Sequence, residues 1–375
     1  MTLNICVIWA WDFDKQRFLR GGLERWTRDA ARLARERGLR VVIYQKERSF
    51  RQAEVEDGIT VVGLPCAAGI YGNVGFAREL GKRLRPTEAI LYVSQELALN
   101  RRFKRTVAVN HGIFWNGDKS IFEKRANALL QRFLLNGLRR VICVDTNYIN
   151  WCHSELPQRW DWQQKLTYIP NYADTDMFHH CAKEERSSGV PVIVFPRRIN
   201  GPSIERDGRG LGLLLDAVRL LESEGWLLRI IIAGRGRLGK EVPAFVKAHG
   251  MRSEVEVAEF GFDEMPALYQ KADLVVIPTL EQEGTSLSAI EAICSGVPTV
   301  VSHIGGLCNV VVPGVTGLVC DLTAPSLASQ MRKVLANQWS ITHAIVHEFR
   351  ESLSLVRWKN QVWECLRNDL HIGEE

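Results

Sequence analysis

The sequence predicts an α/β protein of two Rossmann-like domains, each a doubly wound parallel sheet, facing a central cleft. Three observations predict it. Short apolar runs rich in Val and Ile recur along the chain with helical stretches between them, and strands apolar on both faces belong to parallel sheets covered by helices on both sides. The alternation runs once to about residue 172 and then starts again. At 375 residues and 46% hydrophobic content, the chain is long enough for two cores rather than one.

In the first half, residues 3–9 read as a strand and 12–20 as a polar loop. Gly21-Gly22 then opens an amphipathic helix with Leu23, Trp26, Ala30, Leu33 and Ala34 on one face. Gly38 is its C-cap, and a strand follows over 40–44. Further strands are expected at 59–64, 89–93, 106–109 and 141–144, with a helix over 121–138. Ile169-Pro170-Asn171-Tyr172 marks the junction, so the first domain is 1–172. The second, 173–352, carries strand candidates at 190–195, 228–233, 255–260, 274–278, 299–302 and 317–320. In the tail, Leu355, Trp358, Val362 and Leu366 recur at helical spacing, so 353–375 reads as a helix crossing back to the first domain.

Composition bounds the function. No apolar run approaches the roughly 18 residues a membrane span needs, and the N-terminus reads as a core strand rather than a signal peptide. Nine cysteines, odd in number and without a C-x-x-C pair, read as reduced thiols of a cytoplasmic protein. Residues 1–172 hold 28 Lys and Arg against 17 Asp and Glu, while the remainder holds 20 against 26. A basic first half fits an anionic partner there, or uneven surface charge without a role.

The stretch of chemical interest runs from Pro278 to Gly296. It follows a buried strand and leads through Glu283 and Gly284-Thr285-Ser286 into a helix, in which Leu287, Ile290 and Ile293 keep helical spacing. Either Thr285 or Ser286 suits the N-cap. Glu283 at the strand end and Glu291 two turns into the helix put two carboxylates beside a helix N-terminus. Such a crevice suits hydroxyl groups and a diphosphate.

These residues carry a family resemblance. Glu283 and Glu291 stand in an E-x7-E element, E-G-T-S-L-S-A-I-E, and the rest of the pattern keeps its order: Gly21-Gly22, His111 in V-N-H-G, I-P-N-Y-A-D-T-D-M-F, F-P-R-R-I, I-I-A-G-R-G and E-F-G-F-D. The chain resembles the retaining GT-B glycosyltransferases of family 4 over most of its length. The resemblance implies that Glu291 holds both ribose hydroxyls of a nucleotide sugar, and that Glu283 and His111 serve the reacting sugar. Gly284, Thr285, Ser286 and Leu287 would face sugar and phosphate; relatives mostly carry an aromatic-Gly pair where Thr285-Ser286 stand. Arg198, with Arg197 as its competitor, and Arg209, with Arg206 as its competitor, would balance the diphosphate. Arg209 stands where the family has lysine, which changes hydrogen-bond geometry. Gly22 and Gly234 would admit close backbone approach, and Phe262 or Asp263 would lie near the base.

Toward the acceptor, Trp115 with nearby Phe114 is placed to stack on a sugar ring, and Asp14 lies in a rim loop. The triplets Asp12-Phe13-Asp14 and Asp174-Thr175-Asp176 mimic a manganese motif that belongs to a different glycosyltransferase architecture, so no metal or other cofactor is expected. The basic, apolar-interleaved region over 101–140 reads either as a surface for an anionic membrane at its inner face or as an ordinary core-facing helix. The expected partners are a UDP- or GDP-sugar and a glycan or lipid-linked acceptor, as in bacterial polysaccharide, lipopolysaccharide or lipid-linked glycan synthesis. No nucleic-acid recognition motif is present. A GT-B nucleotide-sugar epimerase and a non-catalytic sugar-nucleotide or glycan binder are the alternative readings.

Overall fold

A computed structural model of the chain describes residues 1–67, 69–113, 120–157, 160–180 and 189–373. The chain divides into two compact units. One is Met1–Pro170 together with the chain from Trp358 onward; the other is Asn171–Arg357.

The first unit carries strands β1 (Thr2–Val7), β2 (Trp11–Asp12), β3 (Arg17–Phe18), β4 (Arg40–Glu47), β5 (Arg51–Val55), β6 (Ile59–Pro65), β7 (Ala89–Tyr92), β8 (Arg105–Asn110), β9 (Arg140–Cys143) and β10 (Leu166–Tyr168). Apart from the small β2–β3 hairpin they form one sheet in the order β10-β9-β8-β7-β1-β4-β6-β5. All pairings are parallel except β5 with β6. Strand order reverses between β1 and β7, and loops at the carboxyl ends of such strands are where open α/β sheets bind ligands. Neither β5 nor β10 was expected from the sequence. In β5 only Val55 and Ala53 are apolar, because an edge strand half-exposed to solvent needs little apolar patterning.

The second unit holds β11 (Val192–Phe195), β12 (Arg229–Ala233), β13 (Glu254–Ala258), β14 (Leu274–Ile277), β15 (Thr299–Ser302) and β16 (Leu318–Cys320). These form an all-parallel sheet in the order β13-β12-β11-β14-β15-β16. Its order reverses between β11 and β14. Side chains alternate across the pleat: Leu274 and Val276 join one core with the helices Leu211–Ser223 and Ala324–Leu335. Val275 and Ile277 join the other core with the helices Met265–Lys271 and Leu287–Cys294.

The tail forms two helices, His343–Ser352 and Leu355–Asp369. From Trp358 on, the second of these packs into the first unit. Trp358, Val362 and Leu366 are buried, and the Trp358 ring meets Trp26 edge-on at 5.1 Å. Asp369 receives two hydrogen bonds from Arg140, at 2.8 and 3.2 Å. Arg105 donates to the carbonyls of Leu370 (2.6 Å) and His371 (2.7 Å). Because the indole is enclosed, Trp358→Ala should destabilise the first unit by about 3–5 kcal/mol through lost contacts and a residual cavity. Urea unfolding followed by circular dichroism measures this; a cost under about 1 kcal/mol would mean the tail packs without contributing stability.

Candidate active site

In the second unit the loops after β11 and β14 meet at the point where strand order reverses. Two residues past β11 stands Arg197. Its backbone is fixed by the loop after β12: a Cβ on Gly234 would stand 2.2 Å from the Arg197 carbonyl oxygen, and one on Gly236 would stand 2.0 Å from that of Ile199. Only glycine permits such an approach. The buried Arg197 guanidinium is then aimed at Glu283, with Nη1 donating to Oε1 at 3.1 Å and Nη2 donating to Oε2. Nη1 also donates to Ser286 Oγ at 3.3 Å.

Arg209 reaches the same carboxylate, its Nη1 donating to Glu283 Oε2. Its position is set by its neighbours. Gly210 has a φ of +85° and packs so closely that a Cβ would stand 1.9 Å from the Pro278 carbonyl oxygen. The Gly208 carbonyl accepts the Leu280 N–H at 2.9 Å. Buried Asp207 braces the loop by accepting the N–H groups of Gly201 (3.1 Å) and Leu211 (3.4 Å). Burial raises the Asp207 carboxyl pKa, and those two donors partly offset the rise. Burial, followed by the charge of Arg197, lowers the pKa of the Arg209 guanidinium. Two guanidinium groups thus share one carboxylate in a partly desolvated pocket, with Glu281 and Asp207 also acting on Arg209.

Ser286 occupies the N-cap of the Leu287–Cys294 helix with extended backbone, but its side chain makes no capping bond. Its hydroxyl receives Arg197 instead. Thr285 is tied down from the junction: its Oγ1 accepts the Asn171 N–H at 3.1 Å, and its carbonyl accepts Asn171 Nδ2 at 2.7 Å. Glu291 is buried in the helix beside Tyr269, whose phenol pKa is pushed well up, first by burial and then by the Glu291 charge.

Of the residues singled out in this unit, Glu283, Arg209 and Ser286 come together, and they do so on Arg197. Arg198 and Arg206 are exposed. Gly284 and Leu287 are half-buried beside it. Gly234 acts on the backbone of Arg197. Phe262 packs edge-on against Phe178 at 5.6 Å, at the rim of the core that holds the Leu287–Cys294 helix. Asp174 caps its own turn, its carbonyl accepting the Phe178 N–H at 2.8 Å.

In the first unit, His111 follows β8. A buried amide network sets this strand end: Asn110 Nδ2 donates to Gln95 Oε1 (2.9 Å), and Gln95 Nε2 donates to Gln131 Oε1 (3.1 Å) and the Tyr148 hydroxyl (2.9 Å). Asn110 Oδ1 accepts the Gly112 N–H at 3.0 Å. His111 is half-buried as a residue, and its Nε2 is buried and has no hydrogen-bond partner among the described residues. Its pKa falls to about 4 through burial, opposed by a hydrogen bond to the Val93 backbone. Trp26 meets the ring edge-on at 5.9 Å. Gly22 is exposed at the first position of the Gly22–Glu36 helix. Asp14 is exposed and paired with Arg51 at 2.8 Å. Asp12 accepts the N–H groups of Asp14 and Lys15, each at 3.0 Å, so the first triplet builds a turn. Trp115 lies outside the described residues.

Residues 190–337 match the family model of the glycosyl transferases group 1, and residues 20–177 match that of glycosyltransferase family 4. The chain belongs to the GT-B glycosyltransferases of family 4. An uncharacterized glycosyltransferase of Methanocaldococcus jannaschii is 23% identical over 154 residues, 41% of this chain and 42% of that relative, so the match spans less than half the relative's length. The D-inositol 3-phosphate glycosyltransferase of Corynebacterium glutamicum is 24% identical over 358 residues, 81% of each chain. The crystal structure of Anabaena HepE in complex with UDP-glucose shares the fold, with a TM-score of 0.72 at 17% identity over 98% of this chain and 100% of that one.

For this glycosyltransferase the residue that sequence reasoning ranked second is the one in the cluster. Arg197 and Arg198 carry the same chemistry, and the deciding signal is Gly234, whose contact lies on the Arg197 carbonyl. The His111 environment gives a prediction. With a folded pKa of about 4 and an unfolded value near 6.5, the unfolded chain binds the proton first. Stability contributed by the neutral ring is full above pH of about 6.5 and is lost as pH falls toward 4. His111→Asn should flatten this part of the stability curve relative to the wild type in parallel denaturant titrations. Identical slopes would show that the ring titrates normally in the fold.

Proposed function

We propose that this glycosyltransferase moves a hexose from a nucleoside diphosphate sugar to an acceptor hydroxyl with retention at the anomeric carbon. One observation carries the reading: Arg197 and Arg209 converge on Glu283 beside the start of the Leu287–Cys294 helix. A donor diphosphate would draw both guanidinium groups onto its oxygens, since Arg forms paired bonds to phosphate as readily as to carboxylate. Glu283 would then be released toward a hydroxyl of the transferred sugar, to stabilise positive charge developing at its anomeric carbon. Glu291 would accept the ribose hydroxyls, and the helix N-terminus would favour the phosphate.

In this reading the arginines supply the positive charge that a metal ion supplies elsewhere, and the enzyme needs no metal. The acceptor attacks from the face the diphosphate leaves. The C–O bond to phosphate breaks as the new glycosidic bond forms, and a departing phosphate oxygen takes the acceptor proton. His111, neutral at physiological pH, would help to organise the reacting face of the sugar. The domain over 173–352 would bind the donor, and 1–172 would bind a glycan or lipid-linked acceptor, with Trp115 and Asp14 on the acceptor side and the work done in the cytoplasm. The resolved UDP-glucose complex of HepE makes UDP-sugars the first donors to test, with GDP-sugars second.

The test is a thermal-shift panel of nucleotides and nucleotide sugars, followed by turnover. A cognate ligand at about 100 times its dissociation constant should add about 2.7 kcal/mol of stability. Glu291→Ala should weaken nucleotide binding by about 1–3 kcal/mol through lost hydrogen bonds. Arg197→Ala should remove both the shift and turnover, whereas Arg198→Ala should keep most of each. The reverse ranking would reject the assignment of the diphosphate ligand. Turnover of the hexose should persist in EDTA; its loss there would reject the metal-free chemistry.

A further inference from the structure

A histidine ring turns easily. The torsion between its Cβ and the ring has no sharp staggered preference, so the surroundings must choose the ring plane. At His111 the backbone is fixed first. Asn110, just before it, donates to Gln95 at 2.9 Å and accepts the Gly112 N–H, just after it, at 3.0 Å. One edge of the ring is fixed next, by the hydrogen bond to the Val93 backbone. A single hydrogen bond acts as a pivot and leaves the ring free to tilt about it. The other contact is aromatic: Trp26 stands edge-on to the ring, with centroids 5.9 Å apart and an interplanar angle of 87°.

Trp26 is itself a supported ring. It lies in the second turn of the Gly22–Glu36 helix, on the buried face, and is 2% exposed. Its second ring partner is Trp358, at 5.1 Å and 89°, which is also 2% exposed. Edge-to-face pairs are directional, so each ring restricts the tilt of the next, which an aliphatic side chain does not do. The Trp26 Nε1–H is buried and meets no hydrogen-bond acceptor among the described residues. Burying an unpaired donor costs stability, so the position uses the breadth of an indole at a cost that phenylalanine would not incur.

Trp358 is the first residue of the tail to belong to the first unit. Beyond it the tail has its own attachments. Lys359 pairs with Glu36 at 2.6 Å, and Arg37 lies over the Trp363 ring. Arg140 holds Asp369, and Arg105 holds the carbonyls of Leu370 and His371. A smaller side chain at 358 therefore leaves the tail docked.

From this line of rings we infer that Trp358 and Trp26 are positioning residues for the transfer reaction, which fix the plane of the His111 ring at the carboxyl end of β8. Both are too deeply buried to meet substrate, and both act through the histidine. A site group must be held within about 10–20° of its working direction, and a tilt of that size is what the aromatic contact prevents. The inference rests on the part given to His111 in organising the reacting sugar. It goes beyond that part by making the last helix of the chain a component of the site.

The test reads the ring directly. In protein carrying isotope-labelled histidine, the His111 ring signals in the NMR spectrum are assigned by their loss in His111→Ala. They should shift or broaden in Trp358→Leu and return most of the way in Trp358→Phe. The exposed His153 and His347 should keep their signals throughout. This arm needs no donor. A second arm follows release of UDP from UDP-glucose, with intact enzyme counted by UDP binding. In Trp358→Leu, kcat per binding site should fall about tenfold, less than the roughly hundredfold that a 1 Å misplacement costs. The KM for UDP-glucose should stay within about twofold, because the tryptophans do not touch the donor. Trp358→Phe should recover most of the loss.

Unmoved His111 signals in Trp358→Leu would overturn the inference. So would a loss of turnover matched by an equal loss of UDP-binding sites, the signature of a tryptophan that only stabilises the fold. Loss of turnover in His111→Ala with full kcat in Trp358→Leu would overturn it too, and would leave the reading of the site standing. Full turnover in His111→Ala would instead remove the histidine from the reaction, and the two tryptophans with it.

Discussion

The second unit depends on one carboxylate held between two guanidinium groups. A buried ion cluster is costly to desolvate and is held only where its geometry is over-determined. Here the surroundings supply that determination. Glycines at 234 and 210 let three loops pack backbone against backbone, Asp207 staples the loop that brings Arg209, and the Gly306 N–H holds the Glu283 carbonyl at 2.7 Å. Glu281 and Asp207 act on Arg209 as well, so the two guanidinium groups face more than one carboxylate.

The first unit solves a different problem with neutral groups. Its His111 sits at the end of β8 on a network of Asn110, Gln95, Gln131 and Tyr148, none of which carries a charge. Amide and phenol partners can be fully buried without the desolvation penalty of ions, provided that each donor finds an acceptor. They fix the strand end without creating a field that would draw a proton onto the ring. A hydrogen bond to the Val93 backbone assigns the remaining ring proton, and Nε2 keeps its lone pair. A neutral ring in that state accepts hydrogen bonds from hydroxyl groups and repels no cationic character growing on a sugar.

Much of this was legible in the sequence, for physical reasons. Strands buried on both faces must be continuous apolar runs, so β1, β4, β7, β11, β12 and β14 announce themselves. Glu283 and Glu291 are conspicuous because carboxylates beside Gly284 and inside an Ile-Ala-Ile helix have few structural uses. What failed to show lies where chain periodicity stops carrying information. Side-chain alternation along β11 would assign faces to Arg197 and Arg198, but Pro196 breaks the strand between them and the pattern. Gly234, far away in sequence, then packs on the Arg197 carbonyl. Arg209 reaches Glu283 from a loop held by the left-handed Gly210 and the braced Asp207 on either side. Strand β5, at a solvated edge, has too few apolar residues to be seen.

The excess of basic residues in the first half also finds its place only in the fold. Cations stand at both edges of the sheet: Lys15, Arg17 and Arg20 follow β1 and Arg48 follows β4, while Arg101, Lys104, Arg139 and Lys165 stand before β8, β9 and β10, and Arg125 and Arg132 project from the helix that joins β8 to β9. Parallel sheets have two chemically distinct edges, and the neutral His111 lies at the carboxyl edge, after β8. Arg101, Lys104, Arg139 and Lys165 do not set the proton affinity of the His111 ring, which follows from burial and from the Val93 backbone.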